Sequence, residues 1–300
     1  MTDVTAPRRP PVPRRRGPGR QSRAPLSTRV ILTSTIVALT AYFLIPVAWM
    51  LFASTKSTDD INRSFGFWFA RIDLWQNLQD LFAFRDGVFV RWVVNSLIYS
   101  GCGALGATFL AALCGFALAK YRFRGRNVLM GAILGGVLIP GTVLALPTYL
   151  LLNSMGLINT YWAVILPSLS SAFGVFLVRI YAAAAVPDEI LESARIDGAG
   201  DIRIFFTIVL RILVPSLVTV YLFAFISIWN NFLLPLIVLN DETLWPVTLG
   251  LYSWQLNAMS EPDMVRIVVT GSMVGTIPLI ILFLSLQKYW RSGITTGAIK

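Results

Sequence analysis

The sequence predicts an all-α integral membrane protein with six transmembrane helices, and three observations predict it. Hydrophobic residues make up 56% of the 300 positions and charged residues 13%, with a mean hydropathy of +0.69. Ordinary globular domains run nearer ~45–50% apolar and ~25% charged. So little polar surface excludes a cytosolic enzyme, a secreted domain and a disordered chain. Five stretches free of Asp, Glu, Lys and Arg are long enough for a span of ~20 residues. Lys and Arg then fall unequally between the two sides that those stretches define.

Residues 1–29 carry eight arginines among prolines and glycines, with no apolar run. A signal peptide needs such a run after its positive end, so a disordered basic tail is expected. Its place beside the first span favours anionic lipid headgroups over nucleic acid as its contact. Uncharged residues number 26 between Arg29 and Lys56, 28 between Arg91 and Lys120, 29 between Arg211 and Asp241, and 21 between Arg266 and Lys288. Each holds one crossing. The 52 uncharged residues between Arg126 and Arg179 suit two, with a turn at Asn153, Ser154, Gly156 and Asn159. The expected spans lie near 30–53, 92–119, 128–152, 161–180, 214–239 and 265–286, with residues 287–300 as a cytoplasmic C-terminal tail.

Nineteen of the 25 Lys and Arg residues lie on the side that holds both termini, against six on the other. The positive-inside rule puts the richer side, with both termini, in the cytoplasm. The chain has no His, which excludes imidazole catalysis and His metal sites. No ionisable group sits mid-span, which argues against an intramembrane proton relay. There is no Gly-Lys dipeptide and hence no phosphate-binding GxxxxGK[ST] loop. Catalytic, metal and cofactor sites are expected to be absent from this chain. Cys102 and Cys114, twelve residues apart on one span, are expected as buried thiols.

Residues 182–213 are too charged to span. Pro187, Asp188 and Glu189 open a short helix, and Gly198 and Gly200 end it. Asp201 is placed to cap a second helix, with Ile202, Phe205, Phe206 and Val209 on one apolar face. Small residues (Ser193, Ala194, Gly198) among charges would let a partner approach, with Glu192 and Asp197 as acceptors. An amphipathic hairpin that only lies on the bilayer fits the same pattern.

Pro187-Asp188-Glu189-Ile190-Leu191-Glu192-Ser193-Ala194-Arg195-Ile196-Asp197-Gly198-Ala199 resembles the EAA motif of ABC importer permeases, in the form found in maltose-type carbohydrate importers. Asn95-Ser96, the Gly156–Tyr161 turn, Leu166-Pro167, the 229–236 stretch WNNFLLPL and the 287–300 ending QKYWRSGITTGAIK agree with the second permease subunit of that type. The likeness spans roughly residues 30–300. Ser193 replaces one of the pattern's alanines. Arg211 stands where the first of two prolines is expected, and Pro215 remains.

The resemblance implies a non-catalytic permease subunit, in the plasma (inner) membrane of a bacterial cell, of an ATP-driven, binding-protein-dependent importer of a sugar or sugar-like solute. Its partners would be a second permease subunit, two ATPase subunits that bind ATP and Mg²⁺, and an extracytoplasmic solute-binding protein. Glu189, Glu192, Ser193, Ala194, Asp197, Gly198 and Ala199 would form the ATPase-coupling segment. Tyr149, Ser227, Trp229, Asn230 and Asn231 are candidates for the substrate pathway, because aromatic faces, amides and hydroxyls suit sugars. Loops 54–91 and 240–264 are candidate contacts for the binding protein. A self-contained six-span secondary transporter or channel is the alternative; it would move solute without companions.

Overall fold

A computed structural model describes residues 25–258, 260–261 and 263–297; the basic tail through residue 24 lies outside them. The chain divides into two units, residues 1–48 and 49–300. In the first, helix α1 (Leu26–Ser54) begins, an apolar helix with Pro46 inside it that continues into the second unit.

The second unit is helical, and no strand occurs among the described residues. Two short helices, α2 (Thr58–Arg63) and α3 (Leu74–Ala83), follow α1. A tight turn at Arg85, Asp86 and Gly87, all at positive φ, then leads into α4 (Val88–Lys120). Next come α5 (Arg126–Leu138), α6 (Ala145–Ser154), α7 (Trp162–Ser168), α8 (Ala172–Ala185) and α9 (Asp188–Ile196). Helix α10 (Asp201–Ile204) passes through a π turn (Phe205–Val209) into α11 (Leu210–Trp229). Helices α12 (Leu233–Val238), α13 (Val247–Asn257) and α14 (Asp263–Gly297) complete the chain.

Five helical stretches are long and apolar enough to cross a membrane: Leu26–Ser54, Leu74–Lys120, Trp162–Ala185, Asp201–Trp229 and Asp263–Tyr289. The stretch expected as a span at 128–152 is two shorter helices with a break over 139–144. Pro140 lacks an N–H and pushes Ile139 to extended backbone (ψ 119). The helix expected at 161–180 breaks after Pro167 and restarts when Ser171 Oγ accepts the Gly174 N–H at 3.1 Å. The helix expected to run to 239 ends at Trp229. Asn230 turns its amide back to the Ile226 carbonyl (2.9 Å), and Asn231 Oδ1 accepts the Leu234 N–H as α12 begins. The expected C-terminal tail is helical through Gly297.

Helix α4 is the centre of this unit. Its N-terminal half, through Phe89, Trp92 and Tyr99, packs in one apolar cluster with Phe225, Trp229 and Trp254. Its C-terminal half packs in a second with Val178, Leu191, Ile204, Phe205 and Leu213. Lipid tails are as apolar as Leu, so close packing rather than water exclusion holds helices together in a bilayer. Small residues on α4 provide it: Ala104, Ala107, Ala111 and Ala112 are buried. A Cβ at Gly115 would stand 2.7 Å from Val178 Cβ, so only glycine admits α8 there. Cys102 and Cys114 lie on the uncovered side of α4, not in the core as expected.

At the N-terminal end of α4 the loops are tied by polar bonds. Asn77 donates to the Ser54 and Lys56 carbonyls at 2.8 and 3.0 Å. Arg266 bridges Asn77 Oδ1 (2.7 Å) and Asp80 Oδ2 (2.6 Å), which joins α3 to α14. Buried Lys56 donates to Ser64 Oγ and the Phe65 carbonyl.

Candidate functional site

The segment between α8 and α11 folds as an elbow. Val186 is extended and Pro187 caps α9, so Asp188 and Glu189 fall in its first turn, where the exposed N–H groups favour negative charge. Gly198 (φ +82) closes α9 in a Schellman arrangement: the Ala199 N–H reaches the Ala194 carbonyl at 2.9 Å. A side chain at 198 would strain this turn.

One face of α9 packs into the body through Leu191 and Ala194. Ala194 is therefore not open to a partner, as its small size had suggested, and Ala199 is half-buried against the same cluster. The other face is exposed and carries Glu189, Glu192, Ser193, Asp197 and Gly198. Ile196 (87% exposed) and Ile202 (77%) flank these acids with apolar surface. The Glu192 and Asp197 carboxylates make no hydrogen bond or ion pair within 4.0 Å among the described residues. Ser193 Oγ bonds back to the Ile190 carbonyl at 3.1 Å.

Asp201 does not cap α10; Gly200 does, and the Asp201 carboxylate instead accepts from Arg195 at 3.2 Å. The buried face of the second helix also differs from the expected one. Ile204, Phe205, Val209 and Leu213 turn inward, while Ile202 and Phe206 are exposed. The π turn inserts an i→i+5 step, so residues on either side of it no longer keep the α spacing. From Asp201 to Trp229 the helix runs on without interruption, with Arg211 inside it.

The elbow is held at both ends by the C-terminal end of α4. Lys120 Nζ meets Asp188 Oδ1 at 2.8 Å, and that hydrogen bond holds the Asp188 carboxyl below the usual carboxylate range. The Arg195 guanidinium lies 5.8 Å from the Tyr121 ring centroid. Its bond to Asp201 raises the Arg195 pKa further, while burial raises that of the Tyr121 phenol.

The substrate-pathway candidates are only partly brought together. Trp229, Asn230 and Asn231 adjoin at the end of α11. The Trp229 indole is buried and stacked on Phe225 (5.8 Å), so it builds a wall rather than a binding face. Ser227 and Asn230 are exposed, and Tyr149 packs half-buried on the first cluster. None of the five lines the polar cleft of about 580 Å³ formed by Ser57, Thr58, Asp73, Asp80, Arg266 and their neighbours.

One feature was not foreseen. The loop over 240–247 is stapled to the N-terminal turns of α4 by five hydrogen bonds. Trp92 Nε1 donates to the Glu242 carbonyl (2.8 Å), and Asn95 Nδ2 to those of Thr243 (2.9 Å) and Trp245 (3.0 Å). Tyr99 donates to the Leu244 carbonyl (2.8 Å), and Ser96 Oγ accepts the Val247 N–H (2.8 Å). Tyr161 completes Asn95 by donating to its Oδ1 at 2.7 Å. Asn159, at φ +59, accepts the Asn240 and Asp241 N–H groups from the other side. The signal was present in the sequence: residues 92, 95, 96 and 99 follow i, i+3, i+4, i+7 spacing and put a hydrogen-bonding stripe on one face of an apolar helix.

Known proteins resemble the chain over most of its length. The arabinooligosaccharides transport system permease protein AraQ of Bacillus subtilis (strain 168) is 32% identical over 277 residues, covering 91% of this chain and 96% of that protein. The lactose transport system permease protein LacG of Rhizobium radiobacter is 29% identical over 274 residues, covering 90% and 96%. A chain of a bacterial ABC transporter involved in the import of the acidic polysaccharide alginate shares the fold, with a TM-score of 0.75 at 23% identity over 89% of this chain and 98% of that one. Residues 107–296 match the family described as binding-protein-dependent transport system inner membrane component, and the chain, a multi-pass membrane permease, belongs to that family.

Proposed function

We propose that this chain is one of two permease subunits of an ATP-driven importer for a sugar or oligosaccharide, coupled to separate ATPase subunits through α9. The observation that carries the reading is the elbow. It presents unpaired Glu192 and Asp197 beside exposed Ile196 and a glycine turn, while its other face is packed into the body. Such a surface suits a groove with a basic residue and an apolar floor on another chain. The names of the relatives support a carbohydrate as solute.

In this reading ATP and Mg²⁺ sit on the ATPases, and an extracytoplasmic binding protein delivers the solute. Residues 126–154 supply the remaining crossing as a broken helix, which makes six and leaves both termini cytoplasmic. The elbow then lies in the cytoplasm, and the stapled loop on the opposite side. ATP closure moves the grooves, the elbows follow, and the spans tilt to alternate access. Ser227 and Asn230 offer an exposed hydroxyl and amide to a passing sugar, with the second permease as the facing wall.

The test is Glu192→Lys in the assembled transporter. The variant chain is expected to reach the membrane at normal levels, lose uptake and fail to retain the ATPase subunits on purification. Normal uptake and retention would overturn the assignment.

A further inference from the structure

We propose that α4 is the rod that carries motion from the coupling elbow to the stapled loop at 240–247, with Lys120 and Tyr121 as the positioning residues that fix the elbow to it. The proposal rests on the reading of α9 as the ATPase-coupling helix and extends it to the other side of the membrane.

Three observations carry it. The first is continuity. Among the described long helices α4 alone has neither a proline nor a break: α1 contains Pro46, α11 contains Pro215 after a π turn, and α14 contains Pro278. The stretches 126–154 and 162–185 are each split in two. Kinks in long helices concentrate at prolines, π bulges and inserted side chains, so α4 is the helix least able to absorb a push by bending. Its 33 residues reach about 50 Å at ~1.5 Å per residue.

The second is attachment at the C-terminal end. Lys120 grips the first turn of α9 through Asp188, and Tyr121 supports Arg195 near its last turn. Arg195 in turn holds Asp201 at the start of α10. Two grips about one helix apart fix its direction as well as its position.

The third is attachment at the N-terminal end. Trp92, Asn95, Ser96 and Tyr99 bind the 242–247 backbone. Just beyond, α13 approaches so closely that a methyl at Gly250 would overlap the Trp92 ring. A displacement of α4 along or about its axis therefore takes this loop with it.

The test uses the whole complex in proteoliposomes. Asn240→Cys, placed on the exposed end of the loop in a Cys102→Ser, Cys114→Ser chain, reports loop movement through its labelling rate with a membrane-impermeant maleimide. With the native grips, that rate is expected to differ about tenfold between the nucleotide-free and vanadate-trapped states, within the usual span of coupling between sites. In Lys120→Ala, Tyr121→Ala the difference is expected to vanish and uptake per ATP hydrolysed to fall by a similar factor, while the ATPases still co-purify. The reversed pair Lys120→Asp, Asp188→Lys, with Tyr121 intact, is expected to restore both beyond Lys120→Asp alone. A state-dependent labelling rate that survives loss of both grips would overturn the rod. So would loss of ATPase binding in Lys120→Ala, Tyr121→Ala, since these residues would then serve docking. Retention of the ATPases by Glu192→Lys would instead break the underlying coupling reading.

Discussion

The two ends of α4 are built on opposite principles. At its N-terminal end every polar group of the 242–247 turn that the stripe reaches is bonded, and the aromatic rings around it are buried. At its C-terminal end the elbow packs on one face only, through Leu191 and Ala194, and its ion pairs reach water: Asp188 is exposed against a mostly buried Lys120 side chain, Arg195 is half-exposed, and the outward acids are unpaired. A saturated network fixes one geometry, because each unmade bond would leave a desolvated group behind. An exposed pair contributes only about 0–1 kcal/mol, so the apolar face of α9 rather than its ion pairs holds the elbow down, and the outer face stays open. The difference separates a region whose polar groups are satisfied within the chain from one whose outward acids stay unpaired among the described residues.

The largest effect that would break this contrast is expected from Asn95→Ala. It removes two donated bonds and orphans the Tyr161 hydroxyl, at a cost of about 3 kcal/mol. The purified complex should melt several degrees lower, and an unchanged melting point would mean that the staple is redundant. Arg266→Met comes next, at about 1 kcal/mol, because the Arg266–Asp80 pair is only partly exposed. Burial raises the Asp80 carboxyl pKa, but the Arg266 and Gln76 bonds outweigh this and hold it below the usual range. A carboxyl depressed in the fold stabilises above its unfolded pKa, and that stability is lost as pH falls through the folded value. A stability difference between native and Arg266→Met proteins is therefore expected at neutral pH, shrinking below about pH 4. The part owed to the Arg266–Asn77 bond does not titrate, so a difference that failed to shrink at all in strong acid would sink the ion-pair account. Ser193→Ala is expected to change stability by less than about 0.5 kcal/mol and to leave uptake intact, since the hydroxyl bonds only to its own helix. A large loss of uptake would show that the hydroxyl itself meets the ATPase.

Much of this was legible in the sequence. The absence of charge between Arg91 and Lys120 marks α4 to within a few residues, because a buried unpaired charge is costly in lipid. Pro187 and Gly198 bound α9, because each has a fixed backbone role at a helix end. The breaks were less legible. Apolar stretches score alike whether straight or interrupted, so hydropathy hides the break at Pro140 and the end at Trp229. The face of α10 was misplaced because periodicity assumes an unbroken α spacing, and the π turn shifts it. Asn95 stands in a short motif, but the carbonyls it donates to lie about 150 residues away, where no local pattern points.

That π turn has an arithmetic consequence. One residue of slack between Ile204 and Leu210 rotates everything upstream by about 100° relative to a regular helix of 3.6 residues per turn. Removing a single residue from 205–209 would rewind the helix and turn its N-terminal end, Asp201–Ile204, about its axis relative to α11. The direction in which the elbow's outer face points is thus set by the length of one five-residue π turn, and a deletion there would turn that face without altering any residue on it.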